Sequence, residues 1–170
     1  MIYYIIGLPG SGKTTFAYKL SEKLGYLPVI DIDNVIETHY GTITDIFETK
    51  GAGYFRALEY IKLRDCSEHD NIIISCGGGL PCYQDNMNYM LDNGVVIWLD
   101  TPLEVIKSRM NEKEIEKRPL MFKEENVEQY LYRIREEREP YYKEANIVLR
   151  NEEDFDTEWA KFEHNRCQRA

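Results

Sequence analysis

Five short and almost entirely apolar stretches are the feature that most constrains the fold of this chain. They occupy residues 2–6, 27–31, 71–75, 95–99 and 146–149. Their apolar residues are continuous rather than alternating, which is typical of strands that are buried on both faces of a sheet. Helical patterns separate them, and this alternation predicts a doubly wound α/β fold with a parallel sheet. Because no repeat, low-complexity tract or linker interrupts the alternation, we expect one domain over residues 1–170.

The helical patterns cover residues 13–24, 53–66, 101–110, 125–143 and 156–165. The second pattern is expected to bury one face, which carries Phe55, Leu58, Ile61 and Leu63. The third pattern begins with the sequence TPLE, which is typical of a capping box with proline at the first helical position. Gly25 is the expected end of the first helix.

Composition excludes several classes of protein. The chain has 170 residues, of which 43% are hydrophobic, so a globular protein is expected. No apolar run reaches the about 18 residues of a membrane span, and no signal peptide is evident, which predicts a cytoplasmic protein without a membrane partner. The net charge of −9 argues against nucleic acid as a partner. The four cysteines have no CxxC spacing and are expected to be free thiols.

The first apolar stretch is followed by GLPGSGKTT, residues 7–15, which matches the pattern G-x-x-x-x-G-K-[ST]. Glycine at these positions lets backbone N–H groups surround a phosphate, and the following helix directs its positive end at the same anion. We therefore predict a site for ATP and Mg²⁺, with Lys13 on the phosphates and Thr14 on the metal. The expected nucleotide-binding residues of the loop are Gly10, Ser11, Gly12, Lys13, Thr14 and Thr15. The alternative is a simple turn, and the loop alone does not distinguish a kinase from a GTPase or a motor.

Two carboxylates end the second apolar stretch, in the sequence DIDNVIE. Asp31 and Asp33 are two residues apart, so an extended backbone would point both side chains the same way. At the carboxyl edge of a parallel sheet, where ligands bind, one could hold a Mg²⁺-bound water and the other could accept a proton. The alternative is helix capping by Asn34 and Glu37.

The third apolar stretch ends in three consecutive glycines, Gly77, Gly78 and Gly79. Three glycines cost backbone entropy, and the simplest reason for them is close approach of backbone amides to a ligand. Isolated arginines also occur in the sequences GYFRALE, KRPLM and EEREPYY. Guanidinium groups can bind carboxylate or phosphate through two hydrogen bonds, although each of these arginines taken alone is also compatible with an ordinary surface charge.

Together these sequences resemble one family. The set GLPGSGKT, DIDNVIE, ITDIFETKGAGYFRALE, GGG, RPLM and REPYY is similar to the shikimate kinases in order and spacing, over about residues 2–149. The combination of motifs is far more specific than any one of them. The resemblance implies a five-stranded parallel sheet of order 2-3-1-4-5 with a P-loop kinase core. It also implies ATP-dependent phosphorylation of the 3-hydroxyl of shikimate, a step toward chorismate and aromatic amino acids.

The resemblance further implies the roles of individual residues. Lys13 and Thr14 would serve the phosphates and Mg²⁺, with Asp31 supporting the metal. Asp33 would bind the substrate hydroxyls and act as base. The remaining implied residues are Arg56 and Arg138 on the shikimate carboxylate, the backbone of Gly77, Gly78 and Gly79 on the substrate, Arg118 on the transferring phosphoryl group, and Arg109 and Arg150 on the adenine side.

Three expectations remain open at the level of sequence. The charged stretch of residues 111–124, broken by Pro119, is expected to act as a lid, although a plain surface loop is the alternative. Family members are commonly monomeric, so a monomer is expected. The alternatives to shikimate phosphorylation are another small-molecule kinase, of gluconate or nucleotide type, and a catalytically silent ATP-binding module.

Overall fold

The computed structural model describes residues 1–110 and 126–169. Five parallel strands form one sheet in the order β2-β3-β1-β4-β5. The strands are β1 (Ile2–Ile6), β2 (Val29–Asp31), β3 (Ile72–Ser75), β4 (Gly94–Leu99) and β5 (Ile147–Leu149). The predicted fold class and strand order are therefore confirmed.

Eight α-helices lie within the described residues. They are α1 (Lys13–Lys23), α2 (Ile32–Tyr40), α3 (Ile43–Lys50), α4 (Ala52–Cys66), α5 (Asn86–Asn93), α6 (Leu103–Arg109), α7 (Val127–Tyr142) and α8 (Phe155–Arg169). Short 3₁₀ helices cover Leu80–Cys82 and Glu152–Asp154. Among these elements, no helix has both the length and the apolar character needed to cross a membrane.

Both faces of the sheet are buried, which explains why its strands are apolar throughout. Along β1, Tyr4 and Ile6 belong to one buried cluster, whereas Tyr3 and Ile5 belong to a second cluster. Helices α2 to α7 contribute to the first cluster, and α1 and α8 contribute to the second. Since burial of a large apolar side chain contributes roughly 1.5–3 kcal/mol, these two layers hold the strands and fix where their carboxyl ends meet.

The carboxyl end of β2 differs from the sequence prediction. The extended backbone stops at Asp31, and α2 begins at the next residue, so Asp31 and Asp33 do not project from one strand. Asp31 is instead the N-cap of α2, and its carboxylate accepts a hydrogen bond from the N–H of Asn34. The alternative of helix capping is therefore confirmed in kind, but not with the pair Asn34 and Glu37, because Asp31 is the cap and the Glu37 carboxylate accepts from the N–H of Ile43 at the start of α3.

Two further local predictions are wrong. Thr101 does not cap α6, since its hydroxyl donates to the carbonyl of Ser11, 3.0 Å away, and α6 begins after Pro102 without a side-chain cap. Ile61 does not lie on the buried face of α4, because it is 49% exposed. Helices α2, α3 and α5 correspond to none of the five helical patterns in the sequence. All four cysteines are free thiols, as predicted.

Candidate active site

The loop of residues 7–15, here called the phosphate loop, joins β1 to α1. Its bends occur at glycines, with φ of 77° at Gly10 and 94° at Gly12, which is the left-handed region that other residues rarely adopt. Gly12 is the N-cap of α1 and has no side chain to occupy the helix end, so the first N–H groups of α1 face a cleft. The Lys13 ammonium donates to the carbonyls of Gly7 and Leu8 at 3.1 Å and 2.9 Å. The loop therefore brings a cation to a helix N-terminus.

Within this loop, the Thr14 hydroxyl lies close to two further oxygen-bearing side chains, those of Asp31 and Ser75. The Thr14 hydroxyl donates to the Asp31 carboxylate at 2.6 Å and is 3.3 Å from the hydroxyl of Ser75, at the end of β3. Hydroxyl and carboxylate oxygens are the ligands that Mg²⁺ prefers, and Mg²⁺ usually takes only one or two of them from the protein. This donor set therefore fits a nucleotide-bound Mg²⁺.

The cleft beside the phosphate loop has a volume of about 540 Å³ and is lined by Lys13, Thr14, Asp31, Asp33 and Arg109, among others. Arg109 ends α6 and lies over the loop, where it donates to the carbonyl of Ser11 at 3.2 Å. Arg150 lies outside this lining. It is 80% exposed and its Nε is 3.5 Å from the Asp100 carboxylate.

Asp33, in the first turn of α2, connects this cleft to the glycine segment, residues 77–79. An ideal β-carbon built at Gly77 would lie 2.8 Å from Asp33 Oδ1 and would collide with Glu59 Oε1. Glycine is therefore required at this position to let two carboxylates approach the backbone. The carboxylate Oδ1 atom of Asp33 is itself buried.

Two arginines lie against the other glycines of the segment. A β-carbon at Gly78 would lie 2.8 Å from Nη1 of Arg138, and a β-carbon at Gly79 would collide with the Arg56 guanidinium. Arg56 comes from α4 and Arg138 from α7, so two distant helices present guanidinium groups at one stretch of backbone. Nη1 of Arg138 is buried and has no hydrogen-bond partner among the described residues. This arrangement leaves donors suited to an anionic ligand.

Glu59 balances part of this positive charge. It is fully buried and forms an ion pair with Arg56, three residues earlier on α4. Burial raises the pKa of Glu59 to about 7, the Arg56 charge opposes this rise, and the Asp33 charge adds to it. The carboxylate holds the Arg56 guanidinium at the glycine segment.

The structure brings together most of the residues predicted from the sequence. The phosphate loop, Asp31 and Arg109 lie on one side, and Arg56, Arg138 and the glycine segment lie on the other, with Asp33 between them. Arg118 and the expected lid of residues 111–124 lie outside the described residues.

Sequence reasoning gave no role to Glu59 and Ser75. Glu59 is the final residue of the F-R-x-x-E motif, and its spacing of three residues from an arginine in a helical pattern was the signal that could have identified it. Ser75 had no such signal, since only the pairing of β3 with its neighbours places it beside Thr14.

Comparison with known proteins identifies the same family. The sequence model of the family described as shikimate kinase matches residues 9–163. The shikimate kinase of Persephonella marina is 41% identical over 150 residues, which cover 88% of each chain. The shikimate kinase of Aquifex aeolicus is 37% identical over 153 residues, covering 89% of this chain and 88% of the relative.

Solved structures agree with the sequence comparisons. A structure of shikimate kinase from Acinetobacter baumannii in complex with shikimate superposes with a TM-score of 0.82 and 33% identity, covering 88% of this chain and 83% of that one. A deoxyadenosine kinase from M. mycoides has the same fold at a TM-score of 0.59 and 20% identity, covering 99% of this chain and all of that one. The chain belongs to the shikimate kinase family.

Proposed function

We propose that this protein transfers the γ-phosphoryl group of ATP to the 3-hydroxyl of shikimate, which gives shikimate 3-phosphate and ADP. The reaction would be a cytoplasmic step toward chorismate and aromatic amino acids. One observation carries the proposal beyond family membership. Two guanidinium groups and two carboxylates converge on a glycine backbone beside a phosphate loop. This geometry fits a small hydroxy acid next to a nucleoside triphosphate.

On the acceptor side, Arg56 and Arg138 bind the shikimate carboxylate through paired hydrogen bonds. Asp33 accepts the proton of the attacking hydroxyl and orients it toward the phosphate loop, which is the role of a positioned carboxylate in phosphoryl transfer. The backbone of the glycine segment contacts the ring hydroxyls, since no side chain intervenes there.

On the donor side, the N–H groups of the phosphate loop and the Lys13 ammonium bind the phosphates of ATP. Thr14 would hold Mg²⁺ through its hydroxyl and Asp31 would hold it through water, and the ion would neutralise charge on the phosphates. Arg109 serves the adenine side, with Arg150 as the further candidate. Arg118 would contact the transferring phosphoryl group, and residues 111–124 would exclude water as a lid.

The alternatives have less support. The paired arginines at a glycine backbone favour a small carboxylate over the phosphate and base of a nucleotide acceptor. A catalytically silent module would not require Asp33 between the two halves of the site. We also propose that the protein acts as a monomer.

The deciding experiment measures ADP release from Mg·ATP with and without shikimate. We expect release that depends on shikimate and saturates with its concentration. Nucleotide binding without any effect of shikimate would contradict the substrate assignment while leaving the family assignment intact.

A further inference from the structure

The carbonyl groups of the glycine segment are all engaged in hydrogen bonds. The carbonyl of Gly77 accepts from the N–H of Leu80 at 3.0 Å, and that of Gly79 accepts from the N–H of Cys82 at 3.2 Å. The central carbonyl, that of Gly78, accepts from the phenolic hydroxyl of Tyr142 at 2.5 Å. In contrast, no backbone carbonyl among the described residues accepts a hydrogen bond from the N–H groups of the segment. A single side chain thus fixes the middle peptide of an otherwise flexible stretch.

Tyr142 is well placed to hold this contact. It is 1% exposed, and its ring packs against Trp98 of β4 with the ring centroids 5.7 Å apart. Burial raises the pKa of its hydroxyl, so the group remains a hydrogen-bond donor at every working pH. Tyr142 also lies four residues after Arg138 on α7, and residues at this spacing share one face of a helix.

Peptide planarity connects this contact to the ligand site. The carbonyl of Gly78 and the N–H of Gly79 belong to one planar trans unit, in which the two groups point in opposite directions. Because Tyr142 holds the Gly78 carbonyl toward α7, the N–H of Gly79 points away from α7. The α-carbon of Gly79 also lies against the Arg56 guanidinium. Without this bond, three consecutive glycines would offer little resistance to rotation of that peptide.

We infer that Tyr142 is a positioning residue for the acceptor substrate: its hydroxyl sets the orientation of the Gly78–Gly79 peptide so that the N–H of Gly79 donates to a substrate oxygen. This inference rests on the proposed function. The same turn of α7 thereby supplies both a guanidinium for the carboxylate and the anchor for the backbone donor.

Tyr142→Phe tests the inference, and Tyr4→Phe is a matched control. Tyr4 is also fully buried, and its hydroxyl donates to Ser67 at 2.8 Å. Ser67 follows α4 and is eleven residues beyond Arg56, which is about 16 Å along a helix. Both variants remove one buried hydroxyl, but only one of these hydroxyls contacts the glycine segment.

We expect Tyr142→Phe to raise the KM for shikimate about fivefold to tenfold while the KM for ATP and kcat change less than about twofold. Tyr4→Phe should leave all three constants within about twofold, although thermal stability should fall to a similar extent in both variants. Equal shikimate KM values in the two variants, or a parallel loss of ATP affinity in Tyr142→Phe, would overturn the inference.

A second readout does not depend on activity. In protein labelled with carbonyl-¹³C,¹⁵N-glycine, Gly78 and Gly79 are the residues whose amide nitrogens are bonded to a labelled glycine carbonyl, so their resonances can be selected from the eleven glycines. Tyr142→Phe should shift these two resonances in the free protein, whereas Tyr4→Phe should not. If neither variant shifts the two glycine resonances, or if both variants do, the Tyr142 hydroxyl does not fix the orientation of the Gly78–Gly79 peptide. If wild-type protein shows no shikimate-dependent ADP release, the proposed function fails, and this comparison still decides the positioning role.

Discussion

Arg138 illustrates how the site depends on geometry at the scale of single residues. Its guanidinium contacts the glycine segment, and its buried Nη1 has no hydrogen-bond partner in the described part of the chain. A lysine at this position would keep the charge but would lose the planar fork that matches a carboxylate.

We therefore expect Arg138→Lys to raise the KM for shikimate at least about tenfold and to leave the KM for ATP within about twofold. Steady-state kinetics with each substrate varied in turn provides the measurement. Arg133→Lys makes the same change on the same helix at a side chain that is 46% exposed, and it should have no effect. An unchanged shikimate KM in Arg138→Lys would remove this residue from the carboxylate site.

Asp33 lies between the nucleotide cleft and the glycine segment, and it is expected to act in the transfer step itself. Asp33→Ala should lower kcat by at least about 100-fold, because a positioned base typically contributes 10²–10⁴ in rate. The affinity for ATP, measured by calorimetry, should remain within about threefold. Asp92→Ala removes an exposed carboxylate from α5 and serves as the control. Loss of nucleotide binding in Asp33→Ala would place this residue on the nucleotide side instead.

The residues that could be predicted from the sequence are those whose role is encoded locally. The phosphate loop is a contiguous pattern, and the glycine triplet signals a close approach. Ser75 and Tyr142 act through contacts with segments more than 60 residues away. Such contacts follow from strand order and helix packing, which local patterns do not specify.

At the scale of elements, the glycine segment is the connection that most limits substitution. It leaves β3 and enters a 3₁₀ helix at Leu80, and its α-carbons lie against side chains from α2, α4 and α7. The backbone at Gly79 has an ordinary conformation, with φ of −92°, so the need for glycine there is steric rather than conformational.

Gly79→Ala should therefore act through Arg56. The added methyl group collides with the end of a flexible side chain, so we expect the arginine to move and the fold to survive. The KM for shikimate should rise more than about tenfold, and the melting temperature should fall, because displacing Arg56 leaves the buried Glu59 carboxylate without its ion-pair partner. Gly53→Ala on α4 is the control, because a β-carbon there meets no atom within 4 Å and an added methyl group stabilises a helix by up to about 1 kcal/mol. An unchanged shikimate KM in Gly79→Ala would show that shikimate binding does not require Arg56 at its position beside Gly79.

The strands were predictable because parallel strands buried on both faces are apolar throughout, which leaves a clear mark in the sequence. The start of α2 could not be predicted, since the sequence DID is compatible both with a strand and with a helix cap. In the structure the carboxylate of Asp31 is the cap. The sequence TPLE was misinterpreted because Thr101 bonds to the phosphate loop, 90 residues away, rather than to its own helix.

At the scale of the whole molecule, burying charged groups to assemble the site should lower the free energy of unfolding. Packing α4 against the sheet buries Glu59 beside Arg56, with Asp33 and Arg138 nearby. Burial raises the pKa of Glu59 from its ordinary value of 4.5 to about 7, so the folded protein holds a proton there that the unfolded chain releases. Protonated Glu59 therefore contributes to the free energy of unfolding. This contribution is fully present below pH 4.5 and is lost as pH rises through about 7.

We therefore expect the free energy of unfolding to fall between pH 5 and pH 8 by on the order of 3 kcal/mol, since each unit of pKa difference corresponds to about 1.4 kcal/mol. Urea denaturation at several pH values provides the measurement. Glu59→Gln cannot ionise and should remove most of this slope, whereas Glu48→Gln, which removes an exposed charge on α3, should retain it. A wild-type slope that is flat or of opposite sign, or one that persists in Glu59→Gln, would show that the site carries no such electrostatic cost. If the slope is as expected, burial of this carboxylate lowers stability at neutral pH, and the ion pair that fixes Arg56 at the glycine segment is the contact maintained at that cost.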